Sequence, residues 1–123
     1  MRIRPERVAH LMHREVAEII EHRLRDPRLG TMVSVTDVEV TKDLSFARIF
    51  VSVLAEGDER ARVLQALQSA AGFVRHELSP RLGLREVPNL RFMLDDSIAR
   101  GARVDEILRR IELGEPAKEE DEA

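Results

Sequence analysis

The sequence predicts an α+β fold, a three-stranded sheet with helices on one face. Apolar residues recur at helical spacing before residue 25, which indicates an opening helix. They alternate in three short segments between residues 32 and 94, which indicates strands, and helical spacing returns between the second and third segments. The predicted order is therefore α-β-β-α-α-β, followed by a C-terminal helix, in a chain of single-domain length.

The first helix is predicted to begin at Pro5, because a helix does not need the N–H that proline lacks at its first position. It should end before Asp26-Pro27, since the residue before a proline avoids helical backbone angles. The following segment, Arg28-Leu29-Gly30, is expected to be a connecting loop. The helix carries an apolar stripe comprising Val8, Leu11, Met12, Val16, Ile19, Ile20 and Leu24.

A β-hairpin is predicted next. Residues 32–41 contain two pairs of valines that are out of phase with each other, so we expect a β-bulge near Thr36-Asp37. Residues 42–45 form a turn, and residues 46–54 form the second strand. The short connection makes the two strands antiparallel.

The second strand has two distinct faces. Ala47, Ile49, Val51 and Val53 alternate with Phe46, Arg48, Phe50 and Ser52. If the second set lies on an uncovered face of the sheet, Phe46 and Phe50 are candidate contacts for a base or a protein.

A kinked pair of helices should follow, with Asp58 as the cap of the first. The helical pattern of residues 67–78 is interrupted by four small residues, Ser69-Ala70-Ala71-Gly72. Glycine inside a helix costs about 1 kcal/mol relative to alanine, so its presence favours a kink, with Gly72 opening the second helix. The start of a helix offers unpaired N–H groups that suit a phosphate. The alternative is that the small residues only permit close packing.

The remaining elements are predicted from turn residues and alternation. The second helix of the pair should stop at Leu82-Gly83, and Pro80 should kink or shorten it. Residues 90–94 alternate as a third strand. Asp95-Asp96-Ser97 should cap the last helix, whose apolar residues are Ile98, Val104, Ile107, Leu108 and Ile111.

Charge divides the 123-residue chain into a body and a tail. Residues 114–123 hold five acids and one lysine, so they contribute −4 to the total of −3 and leave a net charge of +1 on the remainder. We expect residues 113–123 to be disordered, because so polar a segment has little to pack.

The lack of cysteine, of a signal peptide and of a transmembrane segment predicts a soluble cytoplasmic protein, which we expect to be a monomer when free.

Arginine supplies 18 of the 20 basic side chains and suits bidentate contact with phosphate. The alternative for any single arginine is a solvated side chain or an ion pair. We expect a phosphate-facing surface whose candidate residues are Arg2, Arg4, Arg7, Arg14, Arg75, Arg81, Arg85 and Arg91.

Candidate catalytic and metal sites are weak. His10 and His13 have a spacing that a metal site uses, but no motif ties a third ligand to them. Asp95-Asp96 precedes a serine and is better explained by helix capping than by acid–base chemistry. We therefore expect no metal, no cofactor and no enzymatic activity.

Four sequence blocks in order resemble bacterial ribosome-binding factor A, a family with a type II KH-like fold. They are residues 4–8, residues 38–45, residues 69–75, and residues 87–92 together with residues 95–97. In that family an Ala-x-Gly kink replaces the glycine loop of ordinary KH domains, and here it corresponds to Ala70-Ala71-Gly72. The resemblance implies a KH-like ribosome-binding domain over residues 1–112.

The resemblance also implies a function. It predicts a non-enzymatic assembly factor that binds the immature small (30S) ribosomal subunit, contacting 16S rRNA and neighbouring ribosomal proteins. Such a factor supports late maturation and 5′-end processing of 16S rRNA and is associated with growth in the cold. Two alternatives are a general KH-type RNA chaperone and a protein–protein adaptor that uses the uncovered sheet face. The missing Gly-x-x-Gly loop and the scarcity of aromatic residues argue against the chaperone.

Overall fold

The computed structural model describes residues 4–95 and confirms the α+β fold. The C-terminal helix and the acidic tail that the sequence predicts lie outside the described residues, as does Arg2. The elements are α1 (Pro5–His22), α2 (Pro27–Met32), β1 (Val33–Val40), β2 (Phe46–Val53), α3 (Gly57–Ser69), α4 (Ala71–Leu82) and β3 (Asn89–Leu94).

The described strands form one mixed sheet in the order β1-β2-β3. β1 and β2 pair antiparallel, and the predicted bulge is confirmed by a shift of register between Val35 and Asp37. β2 and β3 pair parallel, from Phe46 opposite Asn89 to Val51 opposite Leu94. Parallel neighbours need a long crossover, which α3 and α4 provide.

The two faces of the sheet have opposite character. Val38, Ile49 and Phe92 are register partners across the three strands and are all buried. The next row, Glu39, Arg48 and Arg91, is exposed on the other side, which we call the outer sheet face. Helices α1, α3 and α4 contact the strands, and their buried residues share one core with the buried strand residues. The predicted layering of helices on one face of a sheet is therefore confirmed.

The predicted loop at Arg28-Leu29-Gly30 is wrong, because this segment belongs to the short helix α2. Asp26 caps it: a carboxylate oxygen accepts a hydrogen bond from the Arg28 backbone N–H at 3.0 Å. The Arg28 guanidinium binds the same carboxylate, and these bonds lower the pKa of Asp26. The dipeptide Asp26-Pro27 therefore starts a helix as well as following one.

Helix α2 packs closely on the end of α1 through Gly30. A Cβ atom built on Gly30 would lie 2.9 Å from the carbonyl oxygen of Glu21 and 3.5 Å from that of Ile20. Only glycine permits this approach of one backbone to another. The contact turns the chain back against α1 and directs it into β1.

The turn between β1 and β2 is organised by one carboxylate. Asp43 accepts hydrogen bonds from the hydroxyl groups of Thr41 (2.8 Å) and Ser45 (2.7 Å) and from the Ser45 N–H (3.0 Å). Leu44 lies between them with a φ of 61°, a left-handed conformation that branched and long side chains rarely adopt. The hydrogen bonds, led by those from Ser45 and Thr41, lower the pKa of Asp43 to about 2.

We expect Asp43→Ala to lower the melting temperature at neutral pH, and the difference from the parent to shrink in acid. The folded pKa of about 2 lies below the ordinary aspartate value of 3.8, so ionised Asp43 stabilises the fold above about pH 4. That contribution is lost as the pH falls from there towards 2. Thermal melts of both proteins across this range test the prediction.

The control is Glu86→Ala, which removes an exposed carboxylate that lies outside the helices and makes no side-chain hydrogen bond or ion pair within residues 4–95. A difference between Asp43→Ala and the parent that stays constant from neutral to acid pH would contradict the role of Asp43.

The helix pair breaks at one residue. α3 ends at Ser69, Ala70 follows with φ −86° and ψ −2°, and α4 begins at Ala71. The Ala70 N–H still bonds back to the carbonyl groups of Ala66 and Leu67. The break therefore redirects the chain without an intervening loop, and Gly72 is the second residue of α4 rather than its first.

One further expectation about this pair is wrong, and a second is wrong in part. Asp58 does not cap α3, because the helix already begins at Gly57 and has no side-chain cap. Of the two effects expected of Pro80, a kink or a shorter helix, the shortening is wrong, because α4 continues to Leu82. Gly83 then ends the helix in a left-handed conformation, as its position predicted.

Candidate nucleic-acid interface

The exposed side of α1 carries a basic stripe. Arg4 immediately precedes the helix, and Arg7 and Arg14 are two turns apart on one face of it, with His10 between them. Arg4 and Arg7 are exposed and have no ion pair within residues 4–95. Arg14 touches Glu15 at 3.5 Å while its side chain stays 72 % exposed. We call Arg4, Arg7 and Arg14 the α1 stripe; its guanidinium groups are available to phosphate oxygens.

Arg81 forms ion pairs with two glutamates of α1. Its guanidinium binds Glu15 at 3.1 Å and also Glu18, which joins α4 to α1. The hydrogen bond to Glu18, followed by that to Glu15, raises the pKa of Arg81. A phosphate would have to displace two carboxylates to reach this arginine.

Arg75, in the first turns of α4, holds a backbone carbonyl. Its Nε and Nη2 atoms donate to the Val87 oxygen at 3.0 and 2.9 Å. This double hydrogen bond ties α4 to the segment that leads into β3. The side chain therefore positions the last strand, and any phosphate contact must use the N–H groups that remain.

Arg85 and Arg91 are exposed and have no ion pair inside the described range. Arg85 lies between α4 and β3. Arg91 is on the outer sheet face, beside Arg48, which pairs with Glu39 at 2.5 Å. Of the predicted arginines, Arg91 therefore lies on the side of the sheet away from the helices.

A cleft of about 500 Å³ lies between the kink and the junction of α1 with α2. We call it the kink cleft; it is lined by Arg23, Leu24, Arg25, Asp26, Leu29, Ala66, Ser69, Ala70 and Phe73. Two of its three charged residues are paired: Arg23 with Glu77 at 3.0 Å, and Asp26 with Arg28. Arg25 is exposed with no ion pair among residues 4–95, which leaves the rim positive.

Phe73 and Arg25 are features that the sequence reasoning missed. The helical pattern places Phe73 among the apolar residues of the helix pair, but its side chain is 44 % exposed. The buried residues are Leu67, Val74 and Leu78, and Phe73 is one position away from their spacing. That offset in helical spacing was the signal that could have shown Phe73 to be exposed. Nothing in the sequence indicates that Arg25 lies opposite the kink.

The small residues of the kink leave its outer surface accessible. Ser69 and Gly72 are exposed, while Ala70 and Ala71 are half-buried. A Cβ on Gly72 would meet no atom within 4 Å, so this glycine is not required for a close approach. The first N–H groups of α4, which a helix cannot pair internally, lie at this surface.

The described residues contain no group of three or more His, Asp or Glu side chains placed to hold a metal ion. His10 is exposed and His13 half-buried on α1. None of the helices in the described range has the length and hydropathy needed to cross a bilayer.

Sequence comparison with known proteins gives matches to one family over most of the chain. Residues 4–108 match the family model of ribosome-binding factor A. The chain is 48 % identical to ribosome-binding factor A of Desulforamulus reducens, over 88 % of this chain and 89 % of the relative. It is 45 % identical to that of Acetivibrio thermocellus, over 85 % of each.

Two structural relatives agree with this assignment. The crystal structure of ribosome-binding factor A from Thermus thermophilus has a TM-score of 0.64 and 29 % identity, covering 75 % of this chain and 97 % of that one. A homology model of the Thermus thermophilus protein, fitted into a cryo-EM map of its complex with the 30S subunit, has a TM-score of 0.58 and 30 % identity, covering 72 % and 96 %. The chain described here belongs to the ribosome-binding factor A family.

Proposed function

We propose that this protein binds the immature small ribosomal subunit in the cytoplasm as a non-enzymatic assembly factor. The observation that carries the proposal is the 30 % identical relative that was placed in a map of a 30S complex. Contact with 16S rRNA and neighbouring ribosomal proteins would support late maturation and processing of the 5′ end. The resemblance of the four sequence blocks favours the same role.

The chemistry of the surface supports binding to folded RNA. The α1 stripe and Arg25 offer exposed guanidinium groups to phosphate oxygens, and within residues 4–95 only Arg14 among them has an ion pair, with Glu15. Such contacts position a protein on RNA without reading its sequence. Specificity would then come from the shape of the rRNA and from adjacent ribosomal proteins.

We expect binding to small subunits to weaken steeply with salt, because each arginine–phosphate contact releases counterions. Two to four such contacts predict a loss of roughly 10- to 100-fold between 50 and 200 mM salt. Co-sedimentation with immature subunits across a salt series measures this. Replacing Arg4 and Arg7 together with alanine should lower the affinity and reduce the salt slope by about 2.

The matched control is Arg62→Ala, an exposed arginine on α3 with no ion pair in the described part of the chain. It removes one positive charge, as Arg4→Ala or Arg7→Ala alone does, from a helix outside the α1 stripe and should leave subunit binding unchanged. A flat salt response, or equal losses in the control and the double variant, would exclude the proposed surface.

The same assay separates the two alternatives. A general RNA chaperone would bind free RNA as well as it binds subunits. An adaptor would bind with little salt dependence and would lose affinity when Phe50, half-buried on the outer sheet face, is replaced by alanine. Preference for immature over mature subunits favours the assembly factor.

A further inference from the structure

Strand β3 is the edge of the described sheet next to α3. The Asn89 N–H donates to the Ser45 carbonyl at 3.0 Å, and the Asp95 N–H donates to the Val51 carbonyl at 2.8 Å. The backbone N–H and carbonyl groups of the odd-numbered residues of this strand therefore point towards β2. The backbone groups of Leu90 and Phe92 point away from the sheet, where a further strand would pair with them.

Gln68, in the last turn of α3, meets both of these groups. The Phe92 N–H donates to Gln68 Oε1 at 3.0 Å, and Gln68 Nε2 donates to the Leu90 carbonyl at 3.5 Å. One side-chain amide thus makes the pair of hydrogen bonds that an added strand would make. The contact joins residues far apart in sequence, so it is specific to the folded chain.

The amide lies in a groove between α3 and β3. This groove, which we call the edge groove, has a volume of about 580 Å³ and includes Leu64, Gln65, Phe46 and Arg91 in its lining. Arg91 is exposed at the groove and has no ion pair within residues 4–95. The groove therefore combines an aromatic side chain, a free guanidinium and a backbone donor–acceptor pair.

Those three features suit a nucleotide. An unstacked base of single-stranded RNA offers adjacent donor and acceptor atoms on its Watson–Crick edge, and its phosphate can meet an arginine. The side-chain amide of Gln68 offers the same kind of donor–acceptor pair. In the folded chain, Gln68 already forms hydrogen bonds with the Leu90 carbonyl and the Phe92 N–H, which such a base would need.

We infer that Gln68 closes the edge groove to single-stranded RNA and so restricts the protein to folded RNA. The inference rests on the proposed function in that RNA is taken as the ligand. Gln68 is then a specificity-determining residue that acts by exclusion. An extended peptide is the other occupant that the edge of β3 would admit, and the test separates it.

The test measures binding of a short labelled single-stranded RNA of mixed sequence by fluorescence anisotropy. The parent should bind weakly, and Gln68→Ala should bind about tenfold more tightly, since stacking and pairing of one base suffice for that gain. Gln65→Ala is the matched control, because Gln65 lines the same groove and makes no hydrogen bond to β3 among the described residues. It should bind like the parent.

Amide hydrogen exchange gives a second measurement. The Phe92 N–H should exchange faster in Gln68→Ala than in the parent and regain protection when RNA is added. Folded Gln68→Ala that binds the RNA no more tightly than the parent overturns the inference. Self-association of the variant without RNA binding would show that the groove excludes a strand rather than a base, and would also overturn it.

If Gln68→Ala fails to fold, measurements on the parent protein still test the inference. Titration with the RNA should leave the NMR signals of the Gln68 side-chain amide and the Phe92 N–H unmoved, and movement of either signal contradicts closure. Co-sedimentation of the parent with small subunits runs in parallel. If the parent does not co-sediment with small subunits, the proposed function is rejected. The RNA titration still shows whether Gln68 closes the edge groove.

Discussion

Leu67→Ala is expected to lower the free energy of unfolding by about 2–5 kcal/mol, because it leaves a cavity in the core. Leu67 is completely buried, and it lies one turn before the break between α3 and α4. The helices meet the sheet here, so the surroundings cannot relax into the space without moving one of them. Denaturant unfolding followed by circular dichroism measures the loss.

Leu54→Ala makes the same chemical change where the side chain is 78 % exposed. It should alter the unfolding free energy by less than about 0.5 kcal/mol. Comparable losses in the two variants would mean that the core does not depend on Leu67 as the structure indicates.

Gly30→Ala is expected to destabilise the fold by about 1–3 kcal/mol, although alanine normally favours helices. The added methyl group would lie 2.9 Å from the Glu21 carbonyl oxygen, which is backbone and cannot rotate aside. Either α2 or the end of α1 must shift. A denaturant melt gives the cost, and the exchange rates of amides in α2 locate the shift.

Gly72→Ala is the matched control. Its new Cβ would meet nothing within 4 Å, so the change should be neutral or should stabilise α4 by about 0.5–1 kcal/mol. A loss as large as that of Gly30→Ala would contradict the assignment of the close approach to Gly30. Gly72, which interrupts the helical pattern of the sequence, is thus sterically free, whereas Gly30, which was expected in a loop, is the constrained glycine.

Local patterns in the sequence were sufficient for most of the fold. The out-of-phase valines predicted the bulge after Val35 because alternation reports directly on which face of a strand is buried. Gly83 marked the end of α4 because its left-handed conformation is a local property. Helix α2 was missed because Asp26-Pro27 signals the end of α1, and the same two residues also cap and start the next helix.

The partners of the arginines could not be predicted in the same way. Arg81 reaches Glu15 and Glu18 across two helices, and Arg75 reaches the carbonyl of Val87. Charge and spacing along the chain do not distinguish a free guanidinium from one that meets a distant acceptor. The α1 stripe was predictable because it lies on the polar face of one helix, while the kink cleft exists only through the packing of α2 near α3 and α4.

The parallel pairing of β2 with β3 has a consequence for how the chain acquires its structure during synthesis. Strands β1 and β2 are adjacent in sequence and can pair as soon as the hairpin has emerged. The second edge of β2 has no described partner until the whole helix pair and β3 have been made. A nascent chain that ends before β3 therefore exposes a strand edge able to pair with other chains.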